Sequence, residues 1–261
     1  MHRCLVLLLA ALGLGPGAIS AERPVLRVGM DTRSPPWSFV PGLDYTREDS
    51  SKDPSLTEAD LEKATGIDLD VSQAIGQRLG LRIKIVPVAW FNLEKALLDE
   101  RIDAIVNAWT PGRLTSPAIV ATDPYYEWGL LVAVRARDRR INSYADLGDM
   151  TVGHFRSQVV ERTLRSVGAS QLKAYDVQEA LFADLKNSVV DAVLYDSPYV
   201  RWRVANDTAF RTVGEPLNRL GYHVGIRKAD TALLGQVRAA VKDIVASGES
   251  ERIRRKWEGP K

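Results

Sequence analysis

Apolar and polar positions alternate along this chain in two rhythms that take turns. Residues 25–29 form a short apolar-rich run that reads as a strand. Over 67–79, Val71, Ala74, Ile75 and Leu79 recur at the spacing of one helix face, and Gly80 ends the pattern. Residues 81–88 alternate with period two, 92–100 return to a helical period, and 102–106 form an apolar strand. This succession predicts a mainly parallel, doubly wound sheet.

The rhythm then repeats. Strands are predicted at 151–153, 171–175 and 189–194, and helices at 158–167, 177–186 and 198–205. Residues 130–135 and 222–227 are apolar and long enough to pass from one unit to the other. A last helical region, 232–257, carries Leu233, Leu234, Val237, Val241, Ile244 and Val245 at helical spacing. The expectation is an α/β fold of two doubly wound lobes joined by two crossing strands, with a ligand cleft between them. Lobe 1 is discontinuous, 22–133 and 226–261, and closed by the C-terminal helices; lobe 2 is 134–225.

One segment breaks the rhythm. Residues 41–65 are polar and charged, with a short helix at 56–64 for which Ser55 is the expected cap and Glu58 holds the capping-box position. A loop this long in a compact domain is functional or disordered. A place at the cleft edge competes here with a solvated surface insertion.

The first residues set the compartment. Met1, His2 and Arg3 make a basic start, and 5–14 are apolar but too short to span a bilayer. Gly15, Pro16 and Gly17 break the run, and Ala18 and Ser20 supply small residues for cleavage after Ser20 or Ala21. This predicts a signal peptide over 1–21 and a periplasmic protein, against the competing reading of an uncleaved anchor. Cys4, the one cysteine, precedes the apolar run, so the mature chain has no disulfide, thiol nucleophile or cysteine-held zinc. The net charge is +2 with scattered Lys and Arg, and no basic stripe points to nucleic acid.

The candidate chemistry sits at strand ends. After 102–106 comes a loop with Asn107, Thr110 and Arg113; a lone guanidinium beside a hydroxyl suits two-point capture of a carboxylate. Asp196 ends a second apolar strand and complements it. Together they could grip the carboxylate and ammonium of one amino acid, which favours a small-molecule receptor over an enzyme. The competing role for Asp196 is to cap the helix begun by Ser197 and Pro198. Trp37 and Trp90 are either cleft or core aromatics. Asp31 could simply be solvated or capping, Arg156 faces either the cleft or solvent, and His154 and His223 read as structural. Walker A, His-Glu-x-x-His and Gly-x-Ser-x-Gly motifs do not occur, and no cofactor or metal is expected.

Taken in order, Leu26-Arg-Val-Gly-Met-Asp31, Pro35-Pro36-Trp37-Ser38-Phe39, Gly66-Ile-Asp-Leu-Asp70, Ile102-Asp-Ala-Ile-Val106, Asp123-Pro-Tyr-Tyr126, Asp191-Ala-Val-Leu-Tyr-Asp196 and Gly214-Glu-Pro-Leu217 span nearly the whole mature chain. The ending from Ser247 to Trp257 completes the series. In order and spacing they resemble the family 3 extracellular solute-binding proteins, receptors that feed polar amino acids to ABC importers. The resemblance implies a type II periplasmic-binding-protein fold, hinge closure on a polar or basic amino acid, a permease partner in the inner membrane and a monomeric state. It implies Arg113 as carboxylate ligand with Thr110 beside it, Asn107 or Ala108 near the ammonium, Asp196 as ammonium acid, and Trp90 packed on the ligand. Asp31 falls where receptors for basic amino acids meet the distal cation. The loop from Thr110 to Arg113 is two residues shorter than the usual family form, and Ser157 supplies the one hydroxyl where a Gly-Ser/Thr-Thr turn is customary. Arg156 stands beside it as a possible second anion contact. Two other classes share the fold, cyclohexadienyl dehydratase-like enzymes and ligand-sensing subunits of membrane partners.

Overall fold

The computed structural model describes residues 24–45, 49, 51–112 and 115–258. The expected signal peptide and Arg113 therefore lie outside the described residues. The elements are β1 (Val25–Met30), β2 (Arg33–Ser34), β3 (Ser38–Phe39), α1 (Glu58–Leu61), α2 (Ile67–Leu79), β4 (Arg82–Pro87), α3 (Leu93–Leu98), β5 (Ala104–Ile105) and β6 (Ile119–Ala121). They continue with β7 (Tyr126–Arg135), β8 (Thr151–Phe155), α4 (Gln158–Ser166), β9 (Gln171–Tyr175), α5 (Gln178–Lys186), β10 (Ala192–Asp196) and α6 (Ser197–Asn206). The chain ends with β11 (Phe210–Tyr222), β12 (Gly225–Arg227), α7 (Thr231–Ala246) and α8 (Glu249–Glu258).

Two five-stranded sheets result, ordered β4-β1-β5-β12-β6 and β11-β7-β10-β8-β9. In the first, β1 runs parallel to β4 and β5, and β12 pairs antiparallel with β5 and β6. In the second, β10, β8 and β9 are parallel, while β7 is antiparallel to both β10 and β11. Parallel strands buried on both faces are nearly continuous in apolar residues, which is why β1 and β10 were readable from their hydropathy.

The chain passes between the sheets at 122–125 and at 223–224, where β6 gives way to β7 and β11 to β12. Residues 130–135, expected to cross, lie instead in the middle of the second sheet. Leu130, Leu131, Val132, Ala133 and Val134 are at most 1% exposed because β7 is paired on both edges and both faces are covered, Leu131 and Ala133 entering one core cluster and Leu130, Val132 and Val134 the other. The expected lobe limit at 133/134 thus falls inside β7. Sequence patterning missed β11, whose alternation is broken at Gly214 and Pro216 and whose pairing with β7 shifts register twice. The helical region expected at 232–257 is two helices, divided where Gly248 adopts φ +72°. Helix α8 packs against α2, α6 and α7, so it touches helices from both sheet layers.

Capping at α1 uses Thr57, whose hydroxyl accepts the Asp60 amide while the Asp60 carboxylate accepts the Thr57 amide. The expected cap, Ser55, stands two residues too early.

The start of α2 places the β2–β3 hairpin. Gly66 has φ +135°, and a Cβ there would come 2.2 Å from the Trp37 carbonyl oxygen. Only glycine allows that approach. The amides of Ile67 and Asp68 donate to the carbonyls of Pro36 and Trp37 at 2.9 and 2.8 Å, fixing Trp37 beside the helix.

Candidate functional site

In open α/β sheets, ligands bind outside the carboxyl ends of the strands. Four predicted residues gather at such ends: Asp31 after β1, Asn107 after β5, Asp196 on β10 and Ser157 after β8.

The first wall is built by charge-assisted pairing. Asp31 is 5% exposed. Its Oδ1 accepts Arg33 Nε at 2.8 Å, and its Oδ2 accepts Arg33 Nη2 and the Trp90 amide, both at 3.0 Å. The planar guanidinium matches the carboxylate as a fork. Residues 49 and 51–53 are tied down next to this pair: the Asp49 carbonyl accepts Arg33 Nη1 at 3.2 Å, and Asp53 accepts the Ala89 amide and Arg101. Part of the long 41–65 segment is therefore tied to the chain around the end of β1, with Asp49, Ser51 and Lys52 still exposed. The Asn107 side chain is spent locally, since its Oδ1 accepts the Asp31 amide at 2.8 Å and the Ser38 hydroxyl at 3.0 Å.

Behind this wall, Asp68 is fully buried in the first turn of α2 and accepts the Tyr125 hydroxyl at 2.6 Å. Burial pushes its carboxyl up to about 7, against the opposing pull of the Tyr125 hydroxyl and the Ala108 amide. Ala108 adopts φ +47°, unusual for a residue with a Cβ.

The second wall is different. Asp196 occupies the N-cap position of α6 but makes no side-chain capping bond. Its Oδ2 instead accepts the Tyr222 hydroxyl at 2.9 Å. Burial pushes the Asp196 carboxyl up to about 7, with the Tyr222 bond pulling the other way. Tyr222 remains a hydroxyl donor, because burial and the nearby Asp196 charge hold its pKa well above the usual phenol value. Aromatic rings fill the surroundings. Trp37 stacks on Tyr199 at 5.8 Å and meets Tyr195 and Tyr222 edge-on, and Trp128 stacks on Tyr222 at 5.0 Å. The indole N–H groups of Trp37 and Trp128 are buried without an acceptor among the described residues. Trp37 is thus both core and link, since it reaches from the β2–β3 hairpin to β10 and α6.

The remaining candidates are more peripheral. Thr110 is exposed and donates to the Gly221 carbonyl at 2.8 Å, tying its loop to the end of β11. Trp90 is 49% exposed and its ring packs edge-on against Phe91, although its amide donates to Asp31. Ser157 precedes α4 without a side-chain capping bond. Arg156 is paired with Asp176 at 2.7 and 3.0 Å, and both side chains are more than 60% exposed. His154 and His223 bond to the carbonyls of Phe155 and Thr122. Among the described residues no group of three or more His, Cys, Asp or Glu could hold a metal, and no helix is long and apolar enough to cross a membrane.

Sequence reasoning missed Arg33 and Tyr222. Arg33 stands two residues from Asp31, a spacing that should have raised a local ion pair. Tyr222 had no signal without β11.

The bacterial extracellular solute-binding proteins, family 3, match residues 49–260. The L-arginine-binding protein of Pseudomonas aeruginosa is 25% identical over 252 residues, covering 91% of this chain and 89% of that protein. The ABC transporter glutamine-binding protein GlnH of Bacillus subtilis is 24% identical over 220 residues, covering 81% and 77%. Among solved structures, an ancestral arginine-binding protein bound to glutamine is 26% identical with a TM-score of 0.65, covering 92% of this chain and all of that one. Substrate-binding domain 2 of Lactococcus lactis GlnP, in its open conformation, shares the fold at 18% identity with a TM-score of 0.72, covering 90% and 95%. The fold is that of the type II periplasmic binding proteins, and with most of its length matched the chain belongs to the family 3 bacterial extracellular solute-binding proteins.

Proposed function

We propose that this protein captures an amino acid in the periplasm, between two closing lobes, and delivers it to an ABC transporter in the inner membrane. The observation that carries this reading is Asp196. It ends a central strand, leaves its own helix uncapped, and meets one neutral hydroxyl among aromatic rings. A partly buried carboxylate with no cation beside it among the described residues is suited to receive an ammonium group. Arg113 would take the carboxylate, with Thr110 and Ser157 at the loop and helix ends beside it. Trp37 and Trp90 would pack on the solute. Closure would be a rotation about the short passages at 122–125 and 223–224. Relatives named for arginine, glutamine and histidine support an amino acid as the solute class.

A thermal-shift screen of amino acids, organic acids and short peptides tests it. A ligand at a hundredfold excess over its Kd stabilises by about 2.7 kcal/mol, which is easily detected. Amino acids that shift the parent but not Asp196→Asn support the reading; a response to dicarboxylates or keto acids alone refutes it. A second reading draws on the same group, because a carboxyl that titrates near 7 can act as a general acid. Turnover in a prephenate assay would establish a dehydratase instead.

A further inference from the structure

The two aspartates that end β1 and β10 differ in what they have left to offer a solute. We propose that Arg33 sets the charge of the solute: by holding Asp31 it closes the cleft to cationic side chains and leaves it matched to an amino acid with an uncharged side chain. The inference rests on the amino-acid reading of the same cleft.

Both oxygens of Asp31 are engaged by Arg33, one also by the Trp90 amide, and the two side chains are only 8% and 7% exposed. The third guanidinium nitrogen, Nη1, reaches the Asp49 carbonyl. Nearby, Asp53 accepts from the Ala89 amide, Asn92 and Arg101. An incoming ammonium or guanidinium would have to break a forked pair held in place on several sides. Asp196 is already matched to the α-ammonium, so a second cation would find no uncompensated carboxylate there. An anionic side chain gains nothing either, because Arg33 is neutralised by Asp31. What remains is a neutral side chain packed against rings.

Calorimetric titration of the mature protein with the twenty standard L-amino acids and L-citrulline, the neutral isostere of arginine, decides the matter. The tightest binder should carry a neutral side chain, with arginine and lysine weaker than it by about tenfold or more, and citrulline should exceed arginine. Arg33→Ala frees Asp31 and should improve arginine relative to the best neutral solute by about tenfold or more. Arg33→Lys keeps a cation beside Asp31 and should retain the parent order; it serves where the alanine variant does not fold. Arginine, lysine, aspartate or glutamate as tightest binder to the parent overturns the inference while leaving the amino-acid reading intact. So does a folded Arg33→Ala with an unchanged ratio. If no amino acid binds, both fall.

Discussion

Asp31 and Asp196 occupy equivalent places, each beside the carboxyl end of a central strand, yet their neighbours give them opposite chemistry. Asp31 receives a forked guanidinium and a backbone amide beside an anchored loop. Asp196 receives one hydroxyl and a wall of rings, and its carboxyl is raised to about 7. The first is a finished structural contact. The second keeps unspent capacity for a cation. Strand-end position marks where a site can form; the count of donors around each acid separates one already engaged from one with an oxygen to spare.

The largest effect that could break this contrast is on folding. Arg33→Ala leaves Asp31 buried without its cation, which should cost about 3–5 kcal/mol. Asp196→Asn removes no partner charge and should leave stability unchanged or raised at pH 8. Urea denaturation of both variants checks this; equal losses would show that the two acids are not in different states.

Binding sharpens the contrast from the other side. Arg113→Ala should cost about 2–5 kcal/mol of affinity, and more than Asp196→Asn, because the arginine offers two bonds of fixed geometry while the amide keeps one acceptor. Arg113→Lys should restore only part of it. If Arg113→Ala binds within a few-fold of the parent, the carboxylate is held by another residue.

A smaller effect lies in the pH dependence of stability. Asp196 and Asp68 both titrate near 7 when folded, whereas in the unfolded chain they ionise near ~4. Between those values the folded protein binds more protons, so their contribution falls as pH rises and levels off above about 7. Asp138, held low by Arg140, acts only below that window. The double variant Asp68→Asn, Asp196→Asn should flatten the slope of denaturation midpoints across pH 4.5–8. A slope parallel to the parent's would contradict it.

Much of the architecture could be read from the chain because β1, β10 and α2 are written in simple periods, apolar for the strands and three-and-four for the helix. Long-range pairing could not. Residues 130–135 are equally apolar as a crossing strand or a central one, and only their pairing with β10 and β11 decides. Asp196 was visible as an acid ending an apolar run. That it leaves its helix uncapped, and that Tyr222 donates to it, depends on β11, whose alternation Gly214 and Pro216 interrupt. For Asp31 the deciding contacts come from Trp90 and from a loop fixed through Asp49 and Asp53, none of which leaves a periodic trace.

The central claim is that the ionised Asp196 receives the solute's ammonium. Calorimetry from pH 5 to 8.5, with the tightest solute from the thermal-shift screen, tests it most directly. Because the free carboxyl titrates near 7, binding must expel its proton at lower pH. Affinity should be flat above about pH 7.5 and weaken by up to about tenfold per pH unit below 7. In Asp196→Asn that dependence should vanish along with most of the affinity. A parent affinity constant across the range, or a pH dependence that survives in Asp196→Asn, would contradict the account.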